Sequence, residues 1–251
     1  MDEISLGKAL EKQEQNQAEQ QMQAARQEPD DGKRLLILIL IVVGAFIALF
    51  AGFAAYNKIT AANVVNVDEL HKENLGGELD DEEGYVYNGY SFVKADGLWW
   101  TEMNKFGTLL KVPLHFGPKE LEEVPIIGTL DSKFNDGEQL YVAIDPDVND
   151  KYYSLALSEL SFNIVKGLDR EPVGSCIREH WACDNRTIVS CNNTQGKAVV
   201  ELVLEEGPSI ELNGTCIKVK GNYQYDIVKS VNRLLYQWYG VMGVNGKNMN
   251  N

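Results

Sequence analysis

The sequence predicts an α+β ectodomain, a mostly antiparallel sheet with covering helices, on a single N-terminal transmembrane helix. Three observations carry this expectation. An uncharged apolar run fills residues 35–56. Beyond residue 85, aromatic-rich alternating segments are punctuated by Asn-Gly and Asp-Gly pairs, the mark of β-hairpins. Two later stretches space their apolar residues as amphipathic helices do.

Residues 1–34 are rich in Gln and Glu, with too little apolar surface to build a core, and read as a solvated cytoplasmic tail. The run "LLILILIVVGAFIALFAGFAAY" at 35–56 follows. At about 1.5 Å per residue it makes about 33 Å of helix, enough to cross a hydrocarbon core of about 30 Å. It is too long, and starts too far into the chain, for the apolar region of a cleaved signal peptide. Arg26, Lys33 and Arg34 precede it and only Lys58 follows closely. That bias predicts a cytoplasmic N-terminus and places residues 57–251 outside the cell membrane. Gly44, Ala48 and Gly52 set a small side chain every four residues on one face, a spacing through which spanning helices self-associate. Residues 57–84 read as a stalk ending in the acidic run "ELDDEEG".

Order is predicted from residue 85. "YVYNGYSFVKADGLWWTEM" reads as hairpin strands, "GTLLKVPLHFGP" as a strand closed by Gly-Pro, and "KELEEVPIIG" as a short turn or helix. Residues 85–135 therefore form a β-rich lobe. Residues 136–244 form an α+β lobe with disulfides, and 245–251 a polar tail. In the second lobe "EQLYVAID" is a buried strand. Tyr153, Leu157, Leu160 and Ile164 then share one face of a helix capped by Asn149 or Asp150. Strands are expected around 173–177, 187–191, 198–204 and 209–220, the last folding back at Asn213-Gly214. That register sets Ile210 opposite Ile217 on the core face and turns Cys216 to the other face. The last helix, 225–241, carries Ile227, Val228, Val231, Leu234, Leu235 and Trp238 on its apolar side. Lys229, Asn232, Arg233 and Gln237 are expected to face water.

The four cysteines, Cys176, Cys183, Cys191 and Cys216, share one stretch with three Asn-x-Thr triplets beginning at Asn185, Asn192 and Asn213. An even cysteine count outside the membrane reads as two disulfides, and the triplets as N-glycosylation acceptors. The alternative of zinc on Cys176, His180, Cys183 and Cys191 lacks the close Cys pair of structural zinc sites. "RTIVS" reads as strand, and an extended chain would hold Cys183 and Cys191 about 26 Å apart. A disulfide needs Cα atoms within about 7 Å. The pairing Cys176–Cys183 with Cys191–Cys216 is favoured; Cys176–Cys191 with Cys183–Cys216 stays open.

Thirty-seven acidic residues against 23 basic ones, a net charge of -14, argue against a nucleic-acid partner. GxGxxG, P-loop, HExxH and GxSxG motifs are absent from the sequence. Ser91-Phe92-Val93-Lys94 matches S-x-x-K but lies in a predicted strand instead of at a helix start. Asp145, Asp147 and Asn149 alternate as in a calcium loop, yet Asp150 stands where such a loop needs Gly and Ala156 where it needs Glu. Capping carboxylates at a strand-to-helix turn explain them better. His71, His115 and His180 fit no catalytic pattern. No catalytic residue, metal or cofactor is expected.

The segments "YNGYSFVKADGLWW", "VPLHFGPKELEEVPIIG", "CDNRTIVSC" through "LNGTCIKVKG", and "LLYQWYG" resemble an uncharacterised family of single-pass, membrane-anchored surface proteins of small-genome archaea, over residues 85–241. The resemblance implies a cell-surface location and a non-enzymatic role. The expected function is that of a membrane-anchored, glycosylated extracytoplasmic binding or assembly protein, with a surface protein or glycan as partner and self-association as a further contact. A membrane-anchored extracytoplasmic hydrolase is one alternative. A pilin-like subunit is another, although the apolar run lacks the processing site and early Glu of such subunits.

Overall fold

Nothing in the run from Leu35 onward breaks a helix, and helix α1 extends through it as Asp30–Ala61. The computed structural model describes residues 16–22, 30–61, 65–105 and 107–243. It divides the chain into two units, Met1–Val64 and Val65–Asn251. In the first, residues 16–22 are helical and exposed, and the 24 residues Gly32–Ala55 of α1 are long and apolar enough to cross a membrane. Their apolar side chains are exposed on every side, an arrangement that water disfavours. Gly44, Ala48 and Gly52 lie on this helix with open space around both glycines. The predicted polar tail 245–251 lies outside the described residues.

The second unit begins earlier than the sequence suggests. Helix α2, Val67–Gly76, occupies the predicted stalk, capped by Asn66 accepting from the Asp68 N–H and closed by Gly77 at φ 74°. It docks through polar groups. Asn74 Nδ2 donates to Ser91 Oγ and lies near the carbonyls of Tyr85 and Phe92, at 2.7, 3.1 and 3.2 Å. A helix held by amide hydrogen bonds has no apolar stripe to read, so its sequence resembles a spacer.

Strands β1 (Gly84–Tyr87), β2 (Tyr90–Ala95), β3 (Leu98–Lys105) and β4 (Thr108–Leu114) form the expected antiparallel meander. Its first two turns are Asn88-Gly89 (φ 49° and 84°) and Asp96-Gly97 (φ 53° and 77°). Two consecutive left-handed residues are what a tight type I′ hairpin requires, and Asn-Gly and Asp-Gly supply them at least cost.

A 3-10 turn, Pro118–Leu121, leads to β5 (Ile126–Leu130), which leaves the meander and joins a second sheet. Then follow β6 (Gln139–Ile144), α3 (Lys151–Leu168), β7 (Glu171–Cys176), β8 (Val199–Leu204), β9 (Ser209–Gly214), β10 (Cys216–Gly221) and α4 (Asp226–Trp238). Asp150 caps α3, accepting from the N–H groups of Tyr152 and Tyr153. The six strands lie in the order β5-β9-β10-β8-β6-β7.

The α+β class is as expected, but this second sheet is not mostly antiparallel. Only β9 and β10 run antiparallel; β5–β9, β10–β8, β8–β6 and β6–β7 are parallel. The reason is covalent: an 18-residue helix between β6 and β7 is a crossover, and a crossover returns the chain in the same direction. Near-continuous apolar runs in β6 and β8 agree with strands buried on both faces. The expected strand at 187–191 is reduced to isolated bridges, Cys176 with Ile188 and Ser190 with Asn193. The β9–β10 hairpin turns one residue later than expected, pairing Ile217 with Leu212 and Val219 with Ile210. The register moves by two residues, so every side chain keeps its face.

The boundary expected at residue 135 is not a division of the fold. One core joins Phe92 and Leu114 of the meander to Val200 and Ile217 of the second sheet. Helix α4 lies between them. Gly221 lets it approach β10, since a Cβ there would stand 2.2 Å from the Ile227 nitrogen. Ser230 Oγ donates to the Lys220 carbonyl (2.6 Å) on this side. On the other side the Tyr236 ring meets Phe92 edge-on at 5.6 Å, and its hydroxyl donates to the Phe116 carbonyl. Lys105 Nζ and Asn88 Nδ2 reach the carbonyls of Trp238 and Val241. Two of the four residues expected to face water are therefore buried: Asn232 at 0% exposed and Arg233 at 1%. Asn232→Ala should lower the stability of residues 65–251 by about 2 kcal/mol in urea unfolding, because the Phe116 N–H and Glu159 lose their partner. Lys229→Ala should cost less than about 0.5 kcal/mol. Equal, small effects would place Asn232 in water after all.

Candidate functional site on the disulfide-bonded face

One face of the second sheet packs on the main core through Ile217 and Val219. The other holds a small separate cluster, Ala143, Val189, Val199 and Cys216. Residues 177–198 form an irregular strap, and its Val189, Ile177 and Cys191 pack into this cluster. The strap has few apolar side chains, and covalent links hold it instead. Cys176 and Cys183, with Cα atoms 6.3 Å apart, close the loop around a 3-10 turn, Trp181–Cys183. Cys191 and Cys216, 5.2 Å apart, tie the strap to β10. These are the favoured pairs, and Cys216 faces away from the main core as the sequence register requires. Loop closure by the two bridges is worth about 2.5 and about 3.5 kcal/mol in the chain-entropy account. Glu201, buried beneath, accepts the Cys191 N–H at 2.5 Å. Cys191, Glu201 and Cys216 approach within metal-ligand range, but both sulfurs are spent in the disulfide. The same bonds remove the thiolates from the zinc alternative at Cys176, Cys183 and Cys191.

The acceptor residues Asn185, Asn192 and Asn213 are all exposed. Asn185 follows the first disulfide at φ 62° and Asn192 lies in the turn closed by Ser190 and Asn193. Asn213 ends β9. Two of the triplets meet in space: Thr215 Oγ1 and Thr194 Oγ1 are hydrogen-bonded at 3.1 Å.

The carboxyl ends of β6 and β7 are adjacent, and ligands of parallel sheets bind outside such ends. Asp145 and Asp147, just past β6, both grip Arg178, just past β7; the Asp145 contact is 2.6 Å. His180 Nε2 reaches Asp147 at 3.2 Å, while its Nδ1 accepts the Ala182 N–H. Burial pushes the Asp145 carboxyl up, but Arg178 and the Asp147 N–H outweigh it and hold the group below its ordinary value. A cation, Arg178, thus already fills the place where the alternating acids suggested calcium. Beside the His180 ring, at 5.2 Å between centroids, the Trp181 indole is 81% exposed. Sequence reasoning passed over Arg178 and Trp181. The signal was the closeness of "CIREHWAC": an eight-residue disulfide loop has little interior, so its large side chains must point outward.

A second polar cluster lies between α3, α4 and the end of β4. Glu159 touches His115 Nδ1 with one carboxylate oxygen and Asn232 Nδ2 with the other. Asn232 Oδ1 accepts the Phe116 N–H at 3.0 Å. Asn163 accepts from the Tyr239 hydroxyl at 2.6 Å and donates to the Glu159 carbonyl. Burial raises the Glu159 carboxyl above its usual value, against the lowering pull of Asn232 and His115. The S-x-x-K residues do not converge: Ser91 Oγ bonds to His71 and Asn74, while Lys94 lies over the Trp99 ring. No protein family, no curated protein and no solved structure matches the chain.

A carboxyl whose folded pKa lies above its unfolded one adds stability that is full below the unfolded value, near 4.5, and is lost as pH rises through the folded value. The stability of the wild-type 65–251 unit relative to Glu159→Gln should therefore fall as pH rises above about 4.5. A difference independent of pH would show that Glu159 titrates as it does in the unfolded chain.

Proposed function

We propose that this chain is a membrane-anchored, glycosylated binding protein of the cell surface, with its N-terminus in the cytoplasm and the Trp181 loop as its contact surface. A helix apolar enough to span a membrane and two disulfides already mark the chain as membrane-anchored or secreted. The observation that carries the finer reading is the short disulfide loop that presents Trp181 beside His180, with Arg178 in the same loop, at the carboxyl ends of two parallel strands. Trp and Arg dominate the energetics of contact surfaces. A loop already closed by a bridge loses little freedom on binding, so more of the contact energy becomes affinity. The partner is a surface protein or glycan; Asn185 and Asn192 carry glycans on the same strap, and Asn213 carries one near the end of β9. The reading includes kinship with the single-pass archaeal surface proteins that the sequence resembles.

An anchored hydrolase is the second reading, favoured by Glu159 beside His115, since a general acid needs a carboxyl with a raised pKa. It ranks lower because both Glu159 oxygens are engaged, one by His115 and one by Asn232.

With a photo-crosslinking residue at position 182 in the native envelope, Trp181→Ala should reduce capture of the specific partner at least about tenfold. Phe162→Ala, which removes another exposed ring, should leave capture unchanged. Equal capture by Trp181→Ala and wild type contradicts the assignment. Activity lost specifically in Glu159→Gln on peptide, glycan or ester substrates would favour the hydrolase.

A further inference from the structure

A strand at the edge of a sheet leaves one row of N–H and C=O groups unpaired, a template for adding another strand. Among the described residues, β1, β4, β5 and β7 form the sheet edges. β4 gives its Lys111 carbonyl to Lys166 Nζ, and β1 is only four residues long, with Asn74 of α2 at its Tyr85 carbonyl. β7 contains Pro172, and the strap takes its last residue. The Cys176 N–H donates to the Thr187 carbonyl at 3.1 Å, and the Cys176 carbonyl accepts the Val189 N–H at 2.9 Å. β5 has no such device. Its residues, Ile126-Ile127-Gly128-Thr129-Leu130, include neither a charge nor a proline, the features that commonly blunt an edge.

Which groups of β5 stay open follows from its pairing with β9. The Pro125 carbonyl accepts the Ile210 N–H at 2.9 Å, and the Asp131 N–H donates to the Gly214 carbonyl at 2.7 Å. Odd-numbered residues therefore turn their N–H and C=O toward β9, and Ile126, Gly128 and Leu130 turn theirs away. Among the described residues, no loop or side chain is hydrogen-bonded to those outward groups. The side chain of Ile126 enters the main core, while Ile127 and Thr129 face outward, Ile127 being 53% exposed. Gly128 is exposed too, and has no side chain to screen its backbone.

We propose that β5 binds a second copy of this chain: two copies pair edge to edge and antiparallel, about a two-fold axis at Gly128, and join their second sheets into one. With Gly128 on the axis, Gly128 pairs with Gly128 and Ile126 with Leu130, so outward groups of one strand meet outward groups of the other. Ile127 then lies beside Thr129 on the outer face, a β-branched cross-strand pair. Charge selects this occupant and this direction. The chain carries a net charge of -14, so most of its surface repels a copy, whereas Ile126–Leu130 carries no charge. Glu123 precedes Gly128 by five residues and Lys133 follows it by five, so antiparallel pairing brings Lys133 of each copy toward Glu123 of the other. Parallel pairing would set Glu123 against Glu123. The nearer Asp131 carboxylate is turned back on its own chain, accepting the Lys133 N–H at 2.9 Å. Asn213, opposite Thr129 on β9, projects from the face of the sheet, so a glycan there leaves the edge open. β5 and β7 are opposite edges of the sheet, and the contact leaves the Trp181 loop free.

The test uses the full-length protein in detergent micelles, with Gly44→Leu and Gly52→Leu throughout so that α1 makes no contribution to association. Sedimentation should show a dimer. Ile127→Lys should weaken it at least about tenfold, since a lysine on an edge strand opposes strand addition. Val165→Lys, at an exposed position on α3, should leave it unchanged. Ile127 is itself exposed, so its variant keeps the fold, which circular dichroism checks. Register gives a second readout. A mixture of Ile127→Cys and Thr129→Cys copies should form a disulfide-linked dimer on mild oxidation, because such a cross-strand pair stands about 4.5 Å apart between Cα atoms. Ile127→Cys mixed with Val165→Cys should not. A monomer, a dimer that Ile127→Lys weakens less than about twofold, or a mixture without the 127–129 link overturns the proposal.

Discussion

The fold depends on α4 being buried on both sides. Ile227, Val228, Val231 and Leu234 pack into the main core, and Tyr236 meets Phe92 of the meander. Neither sheet is complete without it. The meander has one apolar face and no helix of its own except the polar-docked α2. The second sheet has α3 over β7 and β8, and needs α4 over β10. A single helix serving two sheets keeps little face for water, so Asn232 and Arg233 must find partners inside. Asn232 does, through Phe116 and Glu159. Arg233 gives one nitrogen to the Gly243 carbonyl at 2.5 Å, while its Nε and Nη1 lack hydrogen-bond partners. Burial holds its pKa down accordingly. The same arrangement assembles the His115–Glu159 pair, because Asn232 is the group that both α3 and the end of β4 approach.

The outer face of the second sheet follows a different rule. The strap over it buries few apolar side chains, too few to hold 22 residues of irregular chain by hydrophobic contact. Two disulfides supply the constraint. They act chiefly on the unfolded chain, and require an oxidising compartment to persist. The structure thus couples where the protein resides to whether the Trp181 loop keeps its shape. In a reducing compartment the parallel strands and α4 would remain packed, but the loop at the carboxyl ends of β6 and β7 would lose its closure. This coupling is the physical basis for proposing that the strap is the functional face.

Local features of the fold were legible in the sequence, and long-range polar ones were not. Asn88-Gly89, Asp96-Gly97 and the Asp150 cap are set by neighbours in the chain, and each appears where its residue type demands. The cysteine pairing was legible only in part: the strand expected at 187–191 argued against Cys183–Cys191 and left two pairings open, and that stretch is itself reduced to isolated bridges. The direction of the second sheet was available in the helix between β6 and β7, but the Asn213-Gly214 hairpin, its one antiparallel pairing, gave the louder signal. Helix α2 was missed because Asn74 and His71 dock it without apolar residues. Asn232 and Arg233 were misplaced because helical periodicity tells which side is apolar, not whether another sheet covers the polar side. His115 and Glu159 lie 44 residues apart, and only packing brings them together.

The central claim is that the strap is covalently held in the protein's own compartment. Free thiols in intact native-host cells can be alkylated before lysis, and the non-reduced peptides then mapped by mass spectrometry. The account predicts peptides of Cys176 linked to Cys183 and of Cys191 linked to Cys216, with none of the four alkylated. Four alkylated cysteines, or Cys183 linked to Cys191, would contradict it.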